Sequence, residues 1–215
     1  MVKEREINET LEKWMESYYH ILFDKLSEDQ LERKKLGDLV TIVGGGTPST
    51  KCPEYWTKEG GIPWIGISDL TANKGKFINK GEINITEEGK RNSSTRLVPV
   101  DSILLACVGA TIGKTGINYD LLCLSRSLLG IYGKFHKNYY FWFLFNTTKK
   151  DFQNLSHRTA IDCISQKDLR EFEVNSPMQH LIEEFNQICE PFFQIQKTNE
   201  KGIRELLKLQ STLLN

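Results

Sequence analysis

The chain has 215 residues, of which 39% are hydrophobic and 26% are charged, and its formal net charge at pH 7 is zero. This length suffices for one good hydrophobic core, and both fractions are ordinary for a soluble protein. No run of eighteen apolar residues is present to cross a bilayer, and the first residues lack the apolar core of a signal peptide. Five widely spaced cysteines favour a reducing cytoplasm over a disulfide framework or a zinc cluster.

The charges are unevenly distributed along the chain. Residues 1–35 have a formal net charge of −2, residues 36–178 of +3 and residues 179–215 of −1. Lys and Arg supply much of a protein's affinity for nucleic acid by neutralising phosphates. Because the central excess is small, a partner would have to share that electrostatic contribution if the protein binds DNA.

The N-terminal segment, residues 1–35, is predicted to contain a long amphipathic helix. Its apolar positions alternate steps of four and three residues, which is the spacing of a helical seam. The seam consists of Ile7, Leu11, Trp14, Tyr18, Ile21 and Lys25. A polar stretch follows the helix, and we place the domain boundary near residue 35.

The central segment, residues 36–178, is predicted to form a mixed, β-rich globular body. Short strand-like runs alternate with Gly, Asn and Pro over residues 40–43, 62–67, 77–85, 97–108 and 121–132. Residues 138–149 are apolar nearly all round and too short to span a membrane, which favours a buried helix. Ser165 is predicted to cap a short helical turn before a last strand at residues 172–174.

The C-terminal segment, residues 179–215, repeats the helical spacing. Its predicted seam consists of Leu181, Phe185, Ile188, Phe192, Ile195, Asn199, Gly202, Leu206, Leu209 and Leu213. Pro191 is expected to kink or split the helix, and Asn199 in a core position is expected to select register at some cost in stability. Antiparallel pairing of the terminal helices, as a coiled coil within or between chains, would bury both seams. The predicted class is therefore α+β, with Leu11, Trp14, Tyr18, Ile195, Asn199, Leu206 and Leu213 as candidate pairing or partner-interface residues.

Catalytic and metal sites find little support in the sequence. Residues 109–115, reading GATIGKT, have three residues between the glycines where a P-loop needs four, and no strand ending in Asp offers a magnesium ligand. The four histidines are scattered, without metal-ligand spacing. Residues 175–178, reading NSPM, lack the second proline and the stacking aromatic of an amino-methyltransferase loop. We therefore expect no catalytic residue, no metal ligand and no bound cofactor.

Basic residues among loop-forming hydroxyls are the better candidates for a functional surface. Arg can bind guanine O6 and N7 with two donors, and Lys can bind a phosphate. The candidates for DNA contact are Lys51, Lys90, Arg91, Arg96, Lys114, Arg126 and Arg158. Any single one of them is more often a solvated surface charge than a DNA contact, because Lys and Arg occupy surfaces by default. Tyr55, Trp56 and Trp64 are interpreted as core residues.

Three blocks of the sequence resemble the target recognition domain of type I restriction-modification specificity subunits. The first runs from GGTPS at 45–49 through YW at 55–56 and IPWI at 62–65 to DL at 69–70. The second is GATIGK at 109–114, and the third is residues 156–165 with DL at 168–169. Arg158 replaces the family's usual glycine, and CLSRS at 123–127 stands where relatives often carry Asn-Gln. The terminal helices resemble the family's conserved-region helices, so the resemblance covers nearly the whole chain but only one of the usual two recognition domains.

The resemblance implies a non-catalytic specificity subunit, or half-subunit, that reads one half of a bipartite target in double-stranded DNA. It also implies methyltransferase (M) and restriction (R) subunits as partners, which bind S-adenosylmethionine and ATP themselves. A homodimer through the terminal helices would supply a second recognition domain. The alternative is a coiled-coil adaptor that binds protein and not DNA, for which the near-zero net charge is the best argument.

Overall fold

The structure is a computed structural model that describes residues 2–134, 137–156 and 162–213, apart from the side chain of Ser156. The chain divides into two compact units. A helical unit comprises residues 1–32 and 176–215, and a sheet unit comprises residues 33–175. The boundaries expected from the sequence, after residues 35 and 178, lie close to these.

The elements of the described residues are as follows in chain order. The helices are α1 (Val2–Phe23), α2 (Leu36–Leu39), α3 (Ile67–Ala72), α4 (Glu87–Arg91), α5 (Tyr139–Thr147), α6 (Lys149–Ser156), α7 (Gln166–Glu171) and α8 (Gln179–Leu213). The strands are β1 (Leu31–Lys35), β2 (Val40–Gly44), β3 (Trp56–Thr57), β4 (Ile62–Ile65), β5 (Phe77–Ile78), β6 (Ile83–Ile85), β7 (Leu97–Val98), β8 (Ile103–Ala106), β9 (Thr115–Asn118), β10 (Leu122–Leu124), β11 (Leu128–Gly133) and β12 (Glu173–Pro177).

The sheet unit is built on two five-stranded mixed sheets. One has the strand order β3-β6-β4-β10-β7 and the other the order β2-β11-β8-β9-β5. Parallel pairing joins β10 to β4 in the first sheet and β5 to β9 in the second, while the other described pairs are antiparallel. The predicted α+β class with a mixed, β-rich body is confirmed. β1 and β12 form a separate two-stranded sheet.

Both five-stranded sheets contribute side chains to one hydrophobic cluster. Its buried members are Ile65, Leu70, Ile78, Val98, Leu104, Ala106, Leu122, Leu124 and Leu128. Burying such side chains stabilises the fold by about 1.5–3 kcal/mol each. Helix α5 is buried at every position from Tyr139 to Phe145, which confirms the buried helix predicted from its uniformly apolar sequence. The core therefore fixes the strand ends and the loops that leave them.

In the helical unit, α1 and α8 pair antiparallel. The ring of Trp14 lies 4.9 Å from that of Phe192, and the ring of Tyr18 stacks at 5.6 Å on that of Phe185. Farther towards the start of α1, Asn8 is hydrogen-bonded to Gln196 and Asn199. The contact positions move towards the C-terminus of α8 as they move towards the N-terminus of α1. The two helices are therefore antiparallel, as predicted.

The buried faces of the pair lie one position later than the predicted seams. α1 buries Met15, Tyr19 and Phe23, whereas Ile7, Trp14 and Ile21 are 48, 47 and 68% exposed. α8 buries Ile182, Phe185, Asn186, Cys189, Phe193, Gln196 and Ile203. The predicted seam is therefore right only in part: Phe185 is buried and Trp14, Tyr18, Phe192 and Asn199 contact the other helix, but most of the buried positions belong to the neighbouring stripe. Two neighbouring rows of residues along the helix surface both repeat at intervals of about four and three residues. The buried row includes polar residues such as Asn186 and Gln196, so the sequence does not identify it as hydrophobic.

The last turns of α8 extend beyond the residues that contact α1. Leu206, Leu209 and Leu213 are 51, 60 and 85% exposed, and Ile195 is 44% exposed. These three leucines take no part in the described pair, and their role in pairing between chains stays a prediction. The helix continues through Pro191 without the predicted split. Pro191 and Gln187, whose carbonyl has no N–H donor at residue 191, are both exposed.

No described helix is both long enough and apolar enough to cross a bilayer.

Candidate functional site

The glycines of the GGTPS block are required by close packing. Gly45 N donates to Leu128 O at 3.2 Å, and Gly46 N donates to Leu124 O at 2.8 Å. A Cβ atom on Gly45 would lie 1.9 Å from Ser125 O, and one on Gly46 would lie 2.3 Å from Thr95 N. The described glycines with positive φ lie elsewhere, at 60, 61, 109 and 113. The loop therefore needs glycine because it crosses other backbone segments at contact distance.

Two tryptophans hold the other side of this loop. Trp64 Nε1 donates to Gly46 O at 3.0 Å, and Trp56 Nε1 donates to Ser49 O at 3.2 Å. Their rings meet edge to face with centroids 5.1 Å apart. Both side chains are half-buried, as is Tyr55. The aromatic residues of the block thus position the loop, which is a structural role.

Three of the predicted basic residues lie on segments joined to this loop. Lys51 follows the loop directly, Arg96 follows Thr95, and Arg126 follows Ser125. Thr95 Oγ1 donates to Leu124 O at 3.1 Å, which ties the second segment to the third. Lys51, Arg96 and Arg126 are all exposed. The fold therefore brings together three positions that are far apart in sequence.

The GATIGK block places Lys114 next to the Arg126 segment. Cys107 N donates to Ser127 O at 3.0 Å, and the Cys107 thiol approaches Arg126 O at 3.9 Å. Gly109 and Gly113 have φ of 63° and 84°, the left-handed conformation that glycine adopts readily. Ala106 N closes the turn by donating to Lys114 O at 2.8 Å. Lys114 itself is half-buried at the end of this turn.

Lys90 and Arg91 lie at the end of α4. Thr86 caps this helix, since its Oγ1 accepts a hydrogen bond from Gly89 N at 3.1 Å. Lys90 is half-buried, and its Nζ lies 3.5 Å from Glu87 Oε2, which partly neutralises it. Arg91 is exposed. Arg158 lies outside the described residues.

Four of these basic residues differ electrostatically from Arg33 and Lys35 of the same unit. Arg33 pairs with Glu173, and Lys35 Nζ lies 2.5 Å from Glu171 Oε2. By contrast, no acidic side chain of residues 2–134, 137–156 and 162–213 forms an ion pair with Lys51, Arg91, Lys114 or Arg126. A cation without an internal partner is available to an external anion. We define these four residues, with Lys90 and Arg96, as the basic loop surface.

Lys149 is a further basic residue next to this surface. Its side chain packs against Gly113, where a Cβ atom would lie 2.6 Å from Lys149 Cγ. Sequence reasoning did not select it because it follows the buried helix α5 and belongs to none of the motifs. The lysine pair 149–150, which follows the seven buried residues of α5 after three polar residues, is the sequence signal that marks it.

The described side chains of the basic loop surface are cationic hydrogen-bond donors. Burial raises the pKa of the Cys107 thiol to about 11, so it is protonated at neutral pH and is not a nucleophile. Across the described part of the chain, no group of three or more His, Cys, Asp or Glu is placed to hold a metal ion. What the loops present is a set of cationic donors on a fixed framework.

Comparison with known proteins assigns this framework to a family. Residues 28–209 match the family model described as "Type I restriction modification DNA specificity domain". The chain belongs to the type I restriction-modification specificity family. The MjaIX specificity subunit of Methanocaldococcus jannaschii, a curated type I restriction enzyme subunit, is 30% identical to it over 168 residues. That alignment covers 77% of this chain but 38% of the relative, so the chain spans well under half of the length of this specificity subunit.

Solved specificity subunits share the fold. The HsdS subunit from Thermoanaerobacter tengcongensis superposes with a TM-score of 0.59 at 17% identity, covering 94% of this chain and 47% of that one. The S subunit of a type I restriction-modification system from M. genitalium gives a TM-score of 0.64 at 16% identity, covering 99% of this chain and 55% of that one. The single recognition domain expected from the sequence is confirmed, since one such domain accounts for about half of each solved subunit.

The motifs of this specificity domain surround the basic loop surface. The GGTPS block supplies the loop beneath Leu124 and Ser125, and the GATIGK block supplies the turn between β8 and β9. The third block lies partly outside the described residues, but Ser165 forms the expected cap with Asp168. In the described part of the domain, the family's motif residues are chiefly framework, and the basic side chains other than Lys114 of the GATIGK block lie on the segments between the motifs.

Proposed function

We propose that this chain recognises one half of a bipartite sequence in double-stranded DNA. The observation that carries the proposal is the basic loop surface, whose segments are joined to one another by hydrogen bonds. Four of its cations, Lys51, Arg91, Lys114 and Arg126, form no ion pair among the described residues. Phosphates bind such cations, and a fixed framework gives a side chain the orientation that base recognition requires.

Within this proposal the basic residues have two roles. Arg96 and Arg126 enter the major groove, where a guanidinium can donate two hydrogen bonds to guanine. Lys51, Lys90, Arg91 and Lys114 bind phosphates, which set orientation but carry no sequence information. Arg158 remains a candidate of the first kind from the sequence alone.

The covalent chemistry is assigned to other subunits. The relatives are named as specificity subunits of type I restriction enzymes, which supports a non-catalytic role for this chain. We therefore propose that M subunits, which bind S-adenosylmethionine, and R subunits, which bind ATP, assemble with it. The nearly neutral charge agrees with a partner that shares the contacts to DNA.

A homodimer would supply the second half of the target. α8 has 35 residues, which corresponds to about 50 Å at 1.5 Å per residue. That length exceeds one turn of DNA, about 34–36 Å. The exposed leucines at the end of α8 provide an apolar stripe for the same helix of a second copy. Two chains related by a twofold axis would read an inverted repeat with a spacer.

The test is selection from random-sequence DNA. The full chain is mixed with M subunits of a type I system from the same source, and bound duplexes are sequenced over several rounds. We expect enrichment of a split, inverted-repeat motif. If the complex forms but enriches no sequence, DNA recognition is wrong, and the adaptor function expected as the alternative gains support. A monomer mass at micromolar concentration, both free and in the complex, would overturn the homodimer alone.

A further inference from the structure

Lys114 and Lys149 lie beside one another at the GATIGK turn. The stem of Lys149 crosses Gly113, the residue that precedes Lys114. Lys149 is exposed and Lys114 is half-buried. Neither side chain forms an ion pair or hydrogen bond with another side chain in the described ranges 2–134, 137–156 and 162–213. The stem of Lys149 therefore lies against the turn that carries Lys114, and no acidic side chain of the described residues is ion-paired with either lysine.

The backbone at this place is held by the core. Thr115 Oγ1 donates to Asn146 Oδ1 at 3.0 Å, which joins β9 to the end of α5. Asn146 Nδ2 in turn donates to Trp142 O at 2.7 Å within the helix. Because α5 is buried along its length, the start of α6, where Lys149 lies, is anchored on the sheet. The backbone at the two lysines is thus held in place, although their side chains are flexible.

This position has a defined relation to Arg126. Thr115 on β9 pairs with Leu105 on β8, and Ala106 on β8 pairs with Leu128 on β11. The Arg126 segment immediately precedes β11, so it lies two strand spacings from β9, or about 10 Å. The major groove of DNA is about 12 Å wide. A side chain in the groove and a cation on its phosphate wall are separated by a distance of this order.

We propose that Lys114 and Lys149 together bind the phosphate backbone along one wall of the groove that the Arg126 segment enters. The inference rests on the proposed DNA recognition and adds Lys149 and the place of contact to it. The pair holds the duplex at a fixed offset from Arg126, so it acts as a positioning contact. An ammonium group on a phosphate does not distinguish bases, and the pair contributes equally to binding of every sequence.

The experiment measures how the affinity of the full chain, in complex with M subunits, depends on salt. The probe is a duplex that carries the enriched target, and a scrambled duplex of equal length is measured in parallel. The variants are Lys149→Gln, Lys114→Gln and the double variant. Lys149→Arg tests whether the positive charge is sufficient. Lys134→Gln is the matched control, since Lys134 is exposed at the opposite end of β11, where its Nζ donates to Gly37 O at 2.6 Å.

Each phosphate contact contributes about 0.9 to the slope of log K against log salt concentration. We expect each Gln variant to reduce the slope by about this amount, and the double variant by about twice as much. The ratio of target to scrambled affinity should stay unchanged, and Lys149→Arg and Lys134→Gln should keep the wild-type slope. Thermal unfolding of each variant checks that it is folded.

Other outcomes overturn the inference in distinguishable ways. If folded Lys149→Gln keeps the wild-type salt slope, Lys149 does not contact the DNA, and the proposed DNA recognition is unaffected. An altered target-to-scrambled ratio would make Lys149 a base-reading residue and contradict the positioning role. If the wild-type complex shows no preference for any sequence, the proposed function fails, and this inference fails with it.

Discussion

Asn199 Nδ2 donates a hydrogen bond of 2.8 Å to Asn8 Oδ1 between α8 and α1. Gln196, one turn away, is only 2% exposed, and its Nε2 donates to Asn8 O at 2.8 Å and to Glu12 Oε2 at 3.1 Å. Asn8 Nδ2 returns a hydrogen bond to Gln196 O at 3.1 Å. A shift of either helix by one turn would separate these partners and leave polar groups buried without them. The polar layer therefore fixes the register of the pair.

Asn8→Ala should lower the free energy of unfolding by about 1–2 kcal/mol, because the Asn199 amide and the Gln196 carbonyl each lose a partner. The double variant Asn8→Leu with Asn199→Leu should cost less than the sum of the single variants, since both polar groups are then replaced together. Urea unfolding measures both effects. Ser17→Ala is the control, because this exposed hydroxyl bonds only Lys13 O in its own helix, and we expect a change within about 0.5 kcal/mol.

The sequence predicts the elements that local apolar runs mark, and it misses those that depend on contacts between distant residues. The apolar runs predict β2, β4, β8, β11 and α5, because burial on both faces demands continuous hydrophobicity. β1, reading LERKK, escapes prediction because its only apolar residue is Leu31, and its partner strand β12 is far away in the chain. The helix spacing predicts an antiparallel pair but not which of two neighbouring stripes is buried. That choice is made by tertiary contacts, such as the edge-to-face contact of Tyr19 with Phe185 at 5.8 Å.

The candidate site could also be predicted only in part from the sequence. Basic residues among turn-forming hydroxyls can be selected from composition, but their convergence depends on backbone contacts between distant segments. The hydrogen bond from Thr95 Oγ1 to Leu124 O and the one from Cys107 N to Ser127 O are two examples. The packing of Lys149 on Gly113 is a third, and nothing in the local sequence indicates it.

Gly45→Ala should be far more destabilising than Gly60→Ala. A Cβ atom at Gly45 would lie 1.9 Å from Ser125 O, and neighbouring backbone cannot move aside as a flexible side chain could. We expect a loss of about 2–3 kcal/mol or more, of the size found for overpacking. Gly60 has a φ of 66° but nothing within 4 Å of its Cβ position, so alanine there costs only the left-handed conformation, about 1–2 kcal/mol.

The comparison of these two glycines is made by thermal or urea unfolding of both variants. Equal losses would show that conformation, and not close packing, is the reason for glycine in the GGTPS block. Because the loop also carries Lys51, a folded Gly45→Ala protein should bind DNA more weakly than Gly60→Ala.

The cap of α7 makes part of the stability dependent on pH. Ser165 Oγ accepts from Asp168 N at 3.1 Å, and Asp168 Oδ2 accepts from Ser165 N at 3.0 Å. Hydrogen bonds from Ser165 hold the pKa of the Asp168 carboxyl below its ordinary value. A lowered pKa means that the folded state favours the carboxylate, so this contribution is present above about pH 4 and is lost as the pH falls further.

Ser165→Ala should therefore cost about 1 kcal/mol at pH 7, the usual value of an N-cap. At a second pH, below the lowered pKa of the Asp168 carboxyl, the difference between variant and wild type should shrink, because protonated Asp168 no longer accepts the hydrogen bond of 2.6 Å from Ser165 Oγ. Urea unfolding at the two pH values provides the measurement. A difference that stays constant with pH would assign the cap energy to the Ser165 hydroxyl and Asp168 N alone.

Arg126→Ala and Lys90→Ala should affect DNA binding in different ways. Arg126 is exposed and has no ion pair among the described residues, and it follows a segment held by the bond from Ser125 N to Ile65 O, 2.9 Å long. Its loss should relax the preference at one base pair, at a cost of about 1–3 kcal/mol on the wild-type target. Lys90 already lies 3.5 Å from Glu87 Oε2, so its removal should weaken binding slightly and equally for all sequences. Sequencing of DNA selected by each variant, together with affinities for target and scrambled duplexes, separates the two. If Arg126→Ala selects the same DNA motif as the wild type, Arg126 contacts only the DNA backbone. Base recognition would then belong to Arg96 or Arg158.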